Sequence, residues 1–128
     1  MHKEIRVEYK PKRFAMIDKD IAELVCLLNR LRYVTTYESC QRSERARSMI
    51  FMEVTPELKT LEVVRKIFFM VKGVDPVVSI EIKYDICAYS TSKAGKFRRT
   101  FRPSVLLEFS CRNIAEVTKC VKRGLTKV

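Results

Sequence analysis

Val78-Ser79-Ile80-Glu81-Ile82-Lys83-Tyr84-Asp85-Ile86 is the stretch whose reading decides the fold. Apolar and polar residues alternate through it without a break, which is the pattern of a strand whose side chains go to opposite faces in turn. Val78, Ile80, Ile82, Tyr84 and Ile86 fall on one face, and Ser79, Glu81, Lys83 and Asp85 on the other. A strand with one wet face belongs to an antiparallel sheet covered on one side only. The small polar run from Ser90 to Gly95 reads as a hairpin tip. The chain then returns through Lys96 to Arg102 into Ser104 to Cys111, where Val105, Leu107 and Phe109 share a face.

Three helical stripes surround this hairpin. After Asp18, a good N-cap, Ile21, Leu24, Val25, Leu28 and Leu31 recur at helical spacing. Leu58, Leu61, Val64, Ile67, Phe68 and Val71 make a second buried stripe, with Thr55 as cap, Pro56 at the first helical position and Glu57 suited to the dipole. Gly73 is placed to close it. Asn113-Ile114-Ala115-Glu116 opens a third helix that buries Ile114, Val117 and Val121 and ends at Gly124. Alternation over residues 4–9 predicts a strand that Pro11 ends, and the β-branched and aromatic run from Tyr33 to Tyr37 predicts another. Ser48 to Val54 is an apolar strand. The order β, α, β, β, α, β, β, α with short hairpins predicts a single α+β domain over residues 1–128. It should have a mostly antiparallel sheet with three helices packed on its apolar face.

A chain of 128 residues with 47% hydrophobic and 32% charged residues suits one soluble globular domain. No run approaches the length of a membrane span, and the N-terminus lacks the apolar core of a signal peptide, so a cytoplasmic protein is expected. The five cysteines are odd in number and none are spaced Cys-x-x-Cys, which argues against a disulfide framework. The only histidine is His2, so neither a zinc site nor a histidine-activated nucleophile is expected.

The net charge of +11 points to a polyanion, with nucleic acid ahead of membrane. No helical pattern combines a basic face with a bulky apolar face left over for lipid. The cations fall in three groups. Lys10, Lys12 and Arg13 precede the first helix; Arg42, Arg45 and Arg47 follow the second strand; Lys93, Lys96, Arg98, Arg99 and Arg102 surround the hairpin tip. Arg forks match phosphates, and Phe97 and Phe101 among the last group could stack on unpaired bases or pin the hairpin to the core. Arg98 and Arg99 are adjacent, so only one shares a strand face with Lys96 and Arg102. With glycine only at 73, 95 and 124, neither a P-loop nor a dinucleotide fingerprint is available.

The segment Thr35-Thr36-Tyr37-Glu38-Ser39-Cys40-Gln41-Arg42 is chemically denser than a connector needs. A turn there would ordinarily use Gly, Pro, Asn or Asp, and none stands between Tyr33 and Ser48. Taken with Asp18, Asp20, Ile21 and Leu27-Leu28-Asn29 before it, the run resembles the tRNA wybutosine-synthesis methyltransferase family. That family has an acidic helix start, a Leu-Ile-Asn helix and then Thr-Thr-Ser-Ser-Cys-Ser-Gly-Arg. Phe101 to Asn113 is similar to the family's Glu-Pro, apolar strand and polar helix start. Tyr37 and Glu38 depart from the family's serines, and Glu108 stands where a histidine would fall.

The resemblance implies an α+β fold, tRNA as substrate and S-adenosylmethionine as methyl donor, with Thr36, Ser39, Cys40 and Arg42 in the substrate or cofactor site. The expected function is RNA binding, tRNA first, with methyl transfer as its catalytic extension. The alternative is a non-catalytic basic nucleic-acid-binding protein of archaeal or viral type. In either case Arg45, Arg47, Lys93, Lys96, Arg98, Arg99 and Arg102 are the expected nucleic-acid contacts.

Overall fold

The structure, a computed structural model, describes residues 3–40, 47–74, 77–91 and 94–126, with backbone alone at 38, 40, 77–91 and 94–102. Its strands are β1 (Glu4–Lys10), β2 (Arg13–Asp18), β3 (Val34–Cys40), β4 (Arg47–Val54), β5 (Val77–Thr91) and β6 (Ala94–Ser110). Its helices are α1 (Lys19–Leu28), α2 (Thr60–Val71) and α3 (Ile114–Thr126). All strand pairs are antiparallel. The expected α+β class, with helices on the apolar face of an antiparallel sheet, is what the chain forms.

The alternating stretch becomes β5 and pairs with β6 from Val77↔Glu108 out to Thr91↔Ala94. β6 also pairs with β4, and β4 with β3, giving the order β3-β4-β6-β5. The β4 pairing stops at Glu53↔Ser104. Beyond it β5 and β6 continue as a two-stranded ribbon among the described residues, about 30 Å long at strand rise.

One core joins sheet and helices. Ile50, Met52 and Val54 of β4 and Val105, Leu107 and Phe109 of β6 are fully buried on alternate positions. They pack with Ile21, Leu24, Val25 and Leu28 of α1, Ile67 and Val71 of α2, and Val117 and Val121 of α3. The intervening residues of β4, Arg47, Met49, Phe51 and Glu53, are half-buried on the opposite face.

Four expectations change. Residues 13–18 form β2, which returns on β1 after Pro11 through Lys12 at φ +64° and packs on α1. Arg13-Phe14-Ala15-Met16-Ile17 is short and its alternation weak, so the sequence reads only as an approach to α1. Pro56 sits outside the helix in extended conformation, a 3-10 turn fills Glu57–Lys59, and α2 begins at Thr60. Gly124 lies inside α3, where a Cβ would collide with the Met70 side chain. Gly73, by contrast, does follow the end of α2 at φ +98°, a conformation glycine adopts without strain.

The last correction concerns the second stripe. α2 buries Thr60, Val63, Ile67 and Val71, whereas Leu61 and Phe68 are exposed, as is Leu58 before the helix. Phe69 is exposed beside them. α2 therefore does combine cations with a bulky apolar face outside the core, against the sequence expectation. No helix among the described residues is long and apolar enough to cross a membrane.

Candidate nucleic-acid interface

The dense segment after α1 starts on a clamp. Asn29, at the end of α1, donates from Nδ2 to the Val25 carbonyl at 2.8 Å and to Thr36 Oγ1 at 2.7 Å. Its Oδ1 accepts from the Thr36 backbone N–H at 3.0 Å. One buried amide thus ties the helix end to edge strand β3 and satisfies an outward backbone donor. Thr36 is itself only 7% exposed, so its hydroxyl is a structural partner of Asn29. The register shifts between Thr36 and Glu38, and this bulge re-aims the strand beyond it.

Beside the bulge lies a cleft of about 260 Å³ lined by Tyr9, Ala15, Met16, Ile17, Val25, Thr36, Tyr37 and Ser39. One wall is β2, the strand that the sequence reading lacked, and the other is β3. Met16 is 58% exposed at its rim and Tyr37 40%. The Tyr37 ring lies 6.1 Å from Phe51, tilted by 41°. On the outer side of β2, Phe14 is 48% exposed beneath the Arg6 guanidinium, 4.2 Å from its ring centroid. Exposed aromatic faces with cations alongside are what unpaired bases stack on.

The structure brings together two of the four proposed pocket residues, Thr36 and Ser39, on the cleft wall. Cys40 is the last residue of β3, opposite Met49, and Arg42 lies outside the described residues, as do Arg45 and Lys93. Arg47 is committed to Glu108: its Nε lies 2.8 Å from Oε1 and its Nη2 donates to the Glu108 carbonyl at 3.2 Å. That pair fastens β4 to β6.

The hairpin cations sit on the ribbon. Lys96, Arg98 and Arg102 occupy alternate register positions of β6, opposite Tyr89, Cys87 and Lys83, and Arg99 an intervening one opposite Ile86. Of the first cluster, Lys10 donates from Nζ to the Asn29 carbonyl at 3.1 Å. Burial, then the nearby Arg13 charge, holds its ammonium below the usual lysine pKa. Lys12 and Arg13 are exposed at the turn of the β1–β2 hairpin.

Sequence reasoning missed Met16, Phe14 and Tyr37. The first two depend on β2, and Tyr37 entered as a strand residue and as a departure from the resembling motif. Among the described residues no group of three His, Cys, Asp or Glu side chains could hold a metal ion. Cys26 and Cys120 are half-buried and Cys111 is buried with its Sγ 3.1 Å from Ser48 Oγ, none of the three in a disulfide. Set against known protein families, curated proteins and solved structures, the chain matches none.

Proposed function

We propose that the chain binds RNA, with tRNA as the class that its motif resemblance suggests. The observation that carries this reading is the two-stranded ribbon. Its β6 strand holds Lys96, Arg98, Arg99 and Arg102 beyond the last residue that β4 supports. A slender basic ribbon can follow a groove or a phosphate track that a broad sheet cannot enter. The cleft beside β3 adds the second half, with Tyr37 and Met16 available to unpaired bases. Phosphate contacts would then come from the ribbon and the β1–β2 turn, and base contacts from the cleft.

Methyl transfer from S-adenosylmethionine is the second reading, favoured by Ser39 standing on the cleft wall. At about 260 Å³ the cleft is smaller than pockets that enclose a cofactor, and among the described residues no charged side chain lines it. Those properties suit a flat base better than the methyl donor, and favour the non-catalytic alternative.

The test is tRNA affinity measured across a salt series. Affinity should fall by more than about tenfold between roughly 50 and 200 mM salt. Joint charge reversal at Lys96, Arg99 and Arg102 should weaken binding by at least tenfold without changing the melting temperature. A flat salt response, or unchanged binding by that variant, would defeat the reading. Heat on calorimetric titration with S-adenosylmethionine that disappears in Ser39→Ala would move the conclusion to the catalytic reading.

A further inference from the structure

The helix layer carries a second surface that the RNA reading does not use. Leu58, Leu61 and Phe68 are 81%, 59% and 49% exposed and lie on one stripe, with Arg65 between the last two. Phe69, 64% exposed, meets Phe68 edge-on with centroids 5.8 Å apart. None of these side chains is buried; α2 buries Thr60, Val63, Ile67 and Val71 instead.

Behind Phe69, α2 and α3 enclose a groove of about 480 Å³ lined by Lys66, Phe69, Met70, Lys72, Cys120, Arg123 and Gly124. Its floor is apolar, its rim holds three cations, and among the described residues no carboxylate lines it. Gly124 lets the Met70 side chain pack closely against α3, where a Cβ would collide with it.

We infer that this surface docks an acidic amphipathic helical segment of another protein. Apolar anchors of the segment lie on Leu61, Phe68 and Phe69, and its carboxylates face Lys66, Lys72 and Arg123. Helix-in-groove recognition needs an apolar trough with complementary charge beside it; Lys66, Lys72 and Arg123 supply that charge, while Glu62 on the same helix is paired with Lys59 at 3.5 Å. A second copy of the chain fits poorly. The middle of the stripe is Arg65, so a two-fold pairing of α2 through it sets this cation against its own copy, where like charges cost affinity. An anionic membrane also fits poorly, because Arg65 interrupts the apolar face and the deepest feature is concave. The inference is independent of RNA binding, which uses other elements.

The experiment uses the full chain and a panel of fluorescein-labelled helical peptides that present Leu and Phe on one face and Glu on the other. Controls are a scrambled peptide of the same composition and a version with Gln for Glu. Anisotropy should show saturable binding to at least one patterned peptide, at least tenfold weaker for both its controls. Phe69→Ala and the Lys66→Glu/Arg123→Glu double variant should each weaken it tenfold or more, with unchanged melting temperature and unchanged tRNA affinity. Equal binding of the scrambled peptide, no binding by any peptide, or indifference to Phe69→Ala overturns the inference. So does dimerisation in sedimentation that Phe68→Glu abolishes, which would assign the face to a second copy. Loss of tRNA binding in Phe69→Ala would assign it to RNA, and Phe69-dependent binding to phosphatidylserine vesicles would assign it to membrane.

Discussion

α1 and α2 carry similar apolar stripes, yet the fold treats them differently. α1 buries Ile21, Ala22, Leu24, Val25, Leu27 and Leu28, whereas the longer α2 buries only Thr60, Val63, Ile67 and Val71. The cause is what surrounds each helix. α1 is wrapped by β1, β2, β3 and α3, while α2 is touched mainly by α3, β5 and β6. Periodicity says which side of a helix is apolar, but the neighbours decide how wide an arc is covered. The side chains left outside on α2 are then free for partners, while those on α1 are committed to stability.

The widest split between the helices should come from truncation. Leu28→Ala should cost about 2–5 kcal/mol, because the site is fully enclosed and leaves a cavity. Phe69→Ala should stay within about half a kcal/mol, because its ring already meets water. Urea melts of both variants check this, and equal losses would mean that α2 is packed as tightly as α1.

The clamp at the end of α1 comes next. Asn29→Ala strands the Thr36 N–H and hydroxyl in a buried setting and should cost about 1–3 kcal/mol. Amide exchange at Thr36 should quicken selectively. If stability holds and that amide stays protected, β3 is positioned by something other than Asn29.

A smaller effect is expected on the far face of the sheet. Arg47 and Glu108 are 37% and 28% exposed, so solvent screens their attraction. Glu108→Gln should cost no more than about 1 kcal/mol, less at high salt. A larger loss in chemical denaturation would place this pair in the core's energetics rather than at its rim.

The mildest test probes the cover over α1. Burial, the largest influence, raises the Cys26 thiol above its ordinary pKa; Arg30 opposes and Glu23 adds. A raised pKa leaves less thiolate at pH 8, so alkylation of Cys26 should run several-fold slower than that of free cysteine and recover as pH rises. Mass-spectrometric labelling gives the rate. Labelling as fast as free cysteine would mean that the β1–β2 hairpin does not seal that side of α1.

Much of this architecture was legible in the residues themselves. The 78–86 alternation announced the long hairpin, and helical spacing located the three helices, because backbone periodicity dictates which side chains share a face. The same reading placed Thr36 and Ser39 together, and the structure keeps them on one wall. It did not show that Thr36 is held by Asn29 or Arg47 by Glu108, since a side chain's partner across the fold leaves no mark on its own neighbours in sequence. Asn29 and Glu108 are 7 and 61 residues away from them.

What the sequence determined by itself was therefore the local layer: strand or helix, the apolar side of each, and a net charge of +11. The tertiary structure alone decided coverage and commitment. It set β2 against β3 to open a cleft, left Leu61, Phe68 and Phe69 outside while enclosing all of α1's stripe, and paired Arg47 with Glu108. Burial is a property of how elements shade one another, and no residue encodes its own shade.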